Sequence, residues 1–194
     1  MFWFGVFIFC GMNLCGADAP ASATSSTNPS AVIYLPTVEE LAHANTAIIP
    51  EPTLSPPMHA SFVELAKKGG IDVLFLGDSI TDWWRSNGKA VFDKYYGNWK
   101  IANFGIAAET TQNVLWRLQH GEGAGFSPKV VMLMIGTNNL HSNTDAEIAA
   151  GVKAVVGELR KDFPASKILL LGIFPRGPAG NPVRVRVADI NQSL

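Results

Sequence analysis

Three short polar stretches of this chain carry residue types that can do chemistry together. They are Gly77-Asp78-Ser79, Asn103-Phe104-Gly105-Ile106-Ala107-Ala108-Glu109-Thr110 and Gly136-Thr137-Asn138-Asn139. A serine hydroxyl is a weak nucleophile at neutral pH and acts only with a base beside it and donors for the oxyanion it creates. A serine at a strand-to-helix turn exposes its hydroxyl and offers its own backbone N–H. The second stretch can add a main-chain N–H, and Asn138 can add a side-chain amide. Each such donor is worth about 2.7–4 kcal/mol of transition-state stabilisation. The chemistry available to this trio is attack of Ser79 on a carbonyl carbon.

The trio works only if the fold gathers it, and the hydrophobic pattern predicts that it does. Val73-Leu74-Phe75-Leu76 and Val130-Val131-Met132-Leu133-Met134-Ile135 are unalternated apolar runs rich in branched side chains, as in strands buried on both faces of a parallel sheet. Strands are expected over 71–76, 100–104, 130–135 and 168–173. Helices are expected over 58–68, 82–84, 91–96, 110–119, 145–162 and from 183 to 194, with Gly69-Gly70 stopping the first and Pro164 ending the long one. Alternating strands and helices imply βαβ units with right-handed crossovers and a parallel sheet. Ligands of such sheets bind beyond the carboxyl ends of the strands, where all three polar stretches begin.

Composition narrows the classes. The chain has 194 residues, enough for one domain, and a net charge of −1, with no basic surface for nucleic acid. Its two cysteines, Cys10 and Cys15, both lie in the first fifteen residues. The rest of the chain therefore has no cysteine nucleophile, thiolate metal site or disulfide framework. No metal or cofactor is expected. Met1 to Leu14 is almost wholly apolar and is followed by small residues, so residues 1–19 are read as a secretory signal, or alternatively as a retained anchor giving membrane attachment. The expected location is secreted or periplasmic. Residues 20–57, rich in Ala, Ser, Thr and Pro, are read as a linker or extended arm lying along a domain at 58–194.

Each polar residue also has a plainer reading. Serine is a preferred helix cap, which would occupy Ser79. Asp78 is read as bracing the turn by accepting backbone N–H groups. Asn139 is read as a turn residue, Glu109 as a charge favoured at a helix start and Arg117 as an exposed helix charge. His43 and His59 are read as surface residues and His120 as a helix-end cation. Three residues near the crevice are candidate substrate contacts: Trp83, which with Trp84 follows Ser79 closely; His141, three residues past Asn138; and Arg176, in a Pro-Arg-Gly loop after the fourth strand.

The ordered trio, with Thr-Thr-Gln-Asn-Val-Leu-Trp-Arg-Leu after the second stretch, resembles the SGNH or GDSL hydrolases. The closest likeness is to the branch of platelet-activating-factor acetylhydrolase catalytic subunits, over residues 71–194. The resemblance implies a three-layer flavodoxin-like α/β fold and an esterase acting on small acyl esters of carbohydrate or lipid. It matches Ser79 to the nucleophile and first oxyanion donor, Ala108 to the second donor and Asn138 to the third. The chain departs from the pattern at Ala108, usually glycine, and at Asn139, usually aspartate. It also lacks an Asp-x-x-His block, the source of base and orienter. The chain is therefore expected to be truncated, with its last strand, last helix and base beyond residue 194. The rival expectations are an inactive relative that binds a ligand in the same crevice, and a flavodoxin-like cofactor binder. Against the latter, Asp82-Trp83-Trp84 is too bulky and acidic for a phosphate cradle.

Overall fold

The computed structural model describes residues 44–194, so the readings made for residues 1–43, including the signal segment, lie outside the described residues. After a 3-10 turn at Thr46–Ile48 come α1 (Pro56–Lys68), β1 (Val73–Gly77), α2 (Ser79–Asp82), α3 (Lys89–Tyr96), β2 (Ile101–Gly105), α4 (Thr111–Arg117), β3 (Val130–Met134), α5 (Asp145–Asp162), β4 (Lys167–Leu170) and α6 (Pro182–Gln192). The four strands form one parallel sheet in the order β2-β1-β3-β4. This is the α/β architecture expected from the alternation of strand and helix runs, with four strands among the described residues. Among the same residues no helix is long and apolar enough to cross a membrane.

Local chemistry explains the boundaries. Pro56 and Pro57 start α1, because proline costs nothing where the N–H has no helical partner. Thr144 and Glu147 form a reciprocal capping box at the start of α5. Arg117 ends α4 earlier than expected, and the chain turns through Leu118–Glu122 with Gly121 at φ 111°.

One face of the sheet holds the main core. Leu74, Leu76, Ala102, Phe104, Val131 and Leu133 pack against Phe62 and Ala66 of α1, Val114 and Leu115 of α4, and Val152, Val155 and Leu159 of α5. Phe62 stacks on Phe104 with ring centroids 4.7 Å apart. On the other face, Phe75 meets Phe92 and Tyr96 edge-on. Beyond β1 that face is open. An apolar cleft of about 440 Å³ runs along Phe75, Met132, Met134, Leu169 and Leu171, with Trp84 and Phe174 at its sides. Leu169 is 53% exposed. The expectation of burial on both faces, made for the runs that form β1 and β3, agrees with their burial, whereas β4 is half exposed. An apolar run reports what a strand can bury, not whether a second layer lies over it.

Residues 44–57, expected to be part of an arm along the surface, belong to the same compact unit as the rest of the described chain. Ala47 is fully buried. Glu51 N–H donates to Gln112 O (3.2 Å), and Asn113 Nδ2 donates to Pro52 O (2.7 Å). This strap is held by α4 through main-chain groups that its prolines leave free.

Candidate active site

The register of the sheet decides where the three polar stretches meet. Gly77 pairs with Gly105 on one side and with Met134 on the other, so β1, β2 and β3 end at the same level. The Ser79 turn, the Ala108 turn and the Asn138 turn therefore leave one rim of the sheet from adjacent strands. Glycine is required at the first two ends: a Cβ on Gly77 would run into Met134 O and Thr81 Oγ1, and one on Gly105 into the backbone of Asp82. These close approaches let α2 sit directly over the strand ends.

Ser79 is the first residue of α2, three residues before the expected helical piece. The cap is Asp78, whose Oδ1 accepts from Ile80 N–H at 3.0 Å. The expected brace is thus present, and Ser79 is released from capping duty. Asp78 is 1% exposed and its Oδ2 has no hydrogen-bond partner. Burial pushes its pKa up to about 6, against the opposing pull of the Ile80 N–H and the Arg176 charge. A carboxyl raised in the folded state gives stability that is complete below its unfolded value of 3.8 and is lost as pH rises through about 6. Asp78→Asn keeps the cap and removes the charge. It is expected to stabilise the protein by about 2–3 kcal/mol at pH 8 and by little at pH 4, read from urea unfolding at the two pH values. An equal effect at both would mean that Asp78 is not desolvated.

After β2, Ile106 N–H donates to Gly77 O (3.1 Å) and Ala107 and Ala108 turn away exposed. Ala108 has φ 66° and is the one non-glycine among the described residues in the left-handed region. That conformation costs an L-residue roughly 1–2 kcal/mol, and glycine would avoid it at an unfolded-state cost of about 0.4–1 kcal/mol. Ala108→Gly is therefore expected to raise stability by up to about 1 kcal/mol in denaturant unfolding. A loss of similar size would place Ala108 in an ordinary conformation.

Asn138 lies at the start of the 3-10 turn Asn138–His141, and its Nδ2 donates to Glu109 O at 2.8 Å. This bond ties the third polar stretch to the second. Asn139, expected to be a turn residue, is instead fully buried: its Oδ1 accepts from Thr111 N–H (3.1 Å), and its Nδ2 faces Thr111 Oγ1, Gln112 Oε1 and Asn143 Oδ1. It fastens the start of α4 to the β3 loop.

Two further expectations need correction. Arg117 is not an exposed charge and Glu109 is not a solvated helix-end acid: both are 0% exposed, as is Glu122. Arg117 Nε lies 2.7 Å from Glu109 Oε2, close in charge but without hydrogen-bond geometry, and its Nη2 has no partner. Arg117 Nη1 donates to Phe104 O (3.0 Å) and to Glu122 Oε2 (2.5 Å). His59, read as a surface residue, has a side chain 13% exposed, with Nδ1 2.8 Å from Glu122 Oε1. The pattern held one usable clue: Arg117 is three residues after Val114, on the helix side that faces the core.

Of the candidate substrate contacts, His141 and Arg176 share a pocket of about 230 Å³ with Leu140, Asn181 and Val183. Arg176 Nη1 donates to Thr137 O at 3.2 Å. Trp83 is 53% exposed and stands apart, while Trp84 lines the apolar cleft. Among the described residues no three His, Cys, Asp or Glu side chains cluster as metal ligands.

The chain is thus an α/β protein with a parallel sheet, with Ser79 on the turn after its first strand and Asn138 clasping the loop after the second. The model of the GDSL-like Lipase/Acylhydrolase family matches residues 75–194, and the chain belongs to that family. The human platelet-activating factor acetylhydrolase IB subunit alpha2 is 40% identical over 136 residues, which are 70% of this chain and 58% of that protein. The chain thus spans somewhat more than half the length of this relative. Solved structures share the fold, among them these two. One, provisionally described as a platelet activating factor from Streptococcus pneumonia, matches with TM-score 0.56 and 22% identity, over 70% of this chain and 65% of that one. The other is a member of the lipolytic protein G-D-S-L family from Veillonella parvula (TM-score 0.53, 15% identity, 63% and 69% covered).

Proposed function

We propose that the protein hydrolyses small acyl esters of carbohydrate or lipid, with Ser79 as nucleophile. Ser79 Oγ attacks the ester carbonyl. The N–H groups of Ser79 and Ala108 and the Asn138 side-chain amide hold the oxygen that becomes negative. Collapse of the tetrahedral species expels the alcohol and leaves an acyl-serine that water hydrolyses. The observation that carries this reading is the common rim: Gly77, Gly105 and Met134 in register, with Asn138 Nδ2 on Glu109 O. Membership of an acylhydrolase family and the platelet-activating factor acetylhydrolase relative support ester hydrolysis as the reaction class. His141 and Arg176 are proposed to contact the substrate at the pocket they share, and Trp83 at its exposed position beside α2. The base that takes the Ser79 proton is assigned to no residue between 44 and 194. Export through the leading apolar segment is proposed from its sequence alone.

A fluorophosphonate probe tests the reading in the full-length protein, because only an activated serine displaces the fluoride. Labelling mapped by mass spectrometry to the peptide containing Ser79, alongside hydrolysis of p-nitrophenyl acetate, is the expected result. Hydrolysis with Ser79 unlabelled would remove it from the mechanism. The absence of both labelling and hydrolysis would overturn the reading of Ser79 as an activated nucleophile in this chain.

A further inference from the structure

We infer that Glu109 is the positioning residue of the loop that carries Ala108, and that its grip depends on Thr53 and Leu54 in the strap ahead of the family-matched region. The inference rests on the reading of the Ala108 N–H as an oxyanion donor. Its two halves are a strained residue and a buried clamp on the next one along.

A left-handed alanine persists only where its surroundings over-determine it. The loop is anchored on one side by Ile106 N–H on Gly77 O (3.1 Å). On the other side Asn138 Nδ2 holds Glu109 O (2.8 Å), which fixes the Glu109 carbonyl but leaves the peptide ahead of it free to rotate. The Glu109 side chain removes that freedom. It is fully buried, with Oε1 hydrogen-bonded and Oε2 in an ion pair without hydrogen-bond geometry. Oε1 accepts the Thr53 hydroxyl and Leu54 N–H (3.1 Å). Oε2 lies 2.7 Å from Arg117 Nε. Arg117 in turn is tied to Phe104 O, one residue before the end of β2, and to Glu122, which meets His59 of α1. The clamp therefore joins the strap, α1, α4 and the strand from which the loop springs. A buried carboxylate hydrogen-bonded through Oε1 and ion-paired through Oε2 resists swinging, and Ala108 lies between it and the Ile106 anchor.

A network kept for stability alone would affect the number of folded molecules and leave each one unchanged. A positioning network alters the folded molecule. The test uses Thr53→Val, which removes the hydroxyl at constant shape, and Thr53→Ser, which restores it. Ser166→Ala is the comparator. It deletes a buried hydrogen bond to Pro128 O at the opposite end of the sheet. In the full-length protein, Thr53→Val is expected to lower kcat on p-nitrophenyl acetate by roughly tenfold at unchanged KM, because small misplacement of a donor is expensive in the transition state. Thr53→Ser should recover most of that, and Ser166→Ala should change kcat less than twofold. The second readout needs no turnover: in ¹⁵N-labelled protein, Thr53→Val should change the HN–Hα coupling of Ala108 and shift the Asn138 side-chain amide, with Ser166→Ala leaving both in place. If Thr53→Val fails to fold, Glu109→Gln carries the same two measurements. Unmoved Ala108 and Asn138 signals, or an equal response to Ser166→Ala, would overturn the inference. Signals that move in a protein without esterase activity would sustain the clamp and sink the ester reading instead.

Discussion

Arg117→Met is expected to destabilise the protein by about 3–5 kcal/mol at neutral pH. Methionine fills much of the same space, so the loss is one of charge. Glu109 and Glu122 would be left as two fully buried carboxylates with no cation between them. Removing one partner of a buried ion set is far more damaging than replacing the whole set, because the remaining charges keep their desolvation penalty. Set against typical domain stabilities of about 5–15 kcal/mol, the effect is a large fraction of the total. A further expectation separates this cause from lost packing: adding Glu109→Gln and Glu122→Gln should recover much of the deficit at about pH 7.5. Urea unfolding of the single and triple variants decides. A cost under 1 kcal/mol for Arg117→Met would mean that water reaches the cluster.

That cluster also marks where the amino-acid pattern stopped being informative. The strands were legible because an unbroken apolar run followed by glycine has few other uses, and their register follows from burying that run. The α5 helix was legible because Ile148, Val152, Val155 and Leu159 recur at helical spacing and Pro164 blocks the far end. The serine turn was legible from Gly-Asp-Ser directly after a strand. A charge, by contrast, is taken as solvated unless its partner is known, and the partners of Glu109 lie at Arg117 and at Thr53, 56 residues away. Asn139 was misread for the same reason: its role is defined by Thr111, Gln112 and Asn143, which only the fold brings to it. The strap at 44–57 looked like an arm because prolines deny it a ladder. What the pattern leaves unsaid is that α4 can satisfy its main chain instead.

A large kinetic effect is expected at Asn138. Asn138→Ala should lower kcat by about 10²–10³ with KM little changed, because the oxyanion exists mainly in the transition state. The side chain has two N–H donors. One is committed to Glu109 O at 2.8 Å, and because a backbone carbonyl only accepts, that contact also fixes which end of the amide is nitrogen. The second N–H remains for the substrate. Alanine therefore removes both a donor and a clasp on the Ala108 loop, and the two losses must be told apart. The Ala108 HN–Hα coupling does this: if it is unchanged in Asn138→Ala while kcat falls, the loss belongs to the missing donor. If the coupling changes, part of the loss is the loop's, and Thr53→Val should reproduce that part alone. Asn138→Asp should be more damaging than alanine, since a carboxylate there would face both the Glu109 carbonyl and the developing oxyanion with negative charge. An effect confined to KM would make Asn138 a ground-state binding residue and take the third donor out of the oxyanion site.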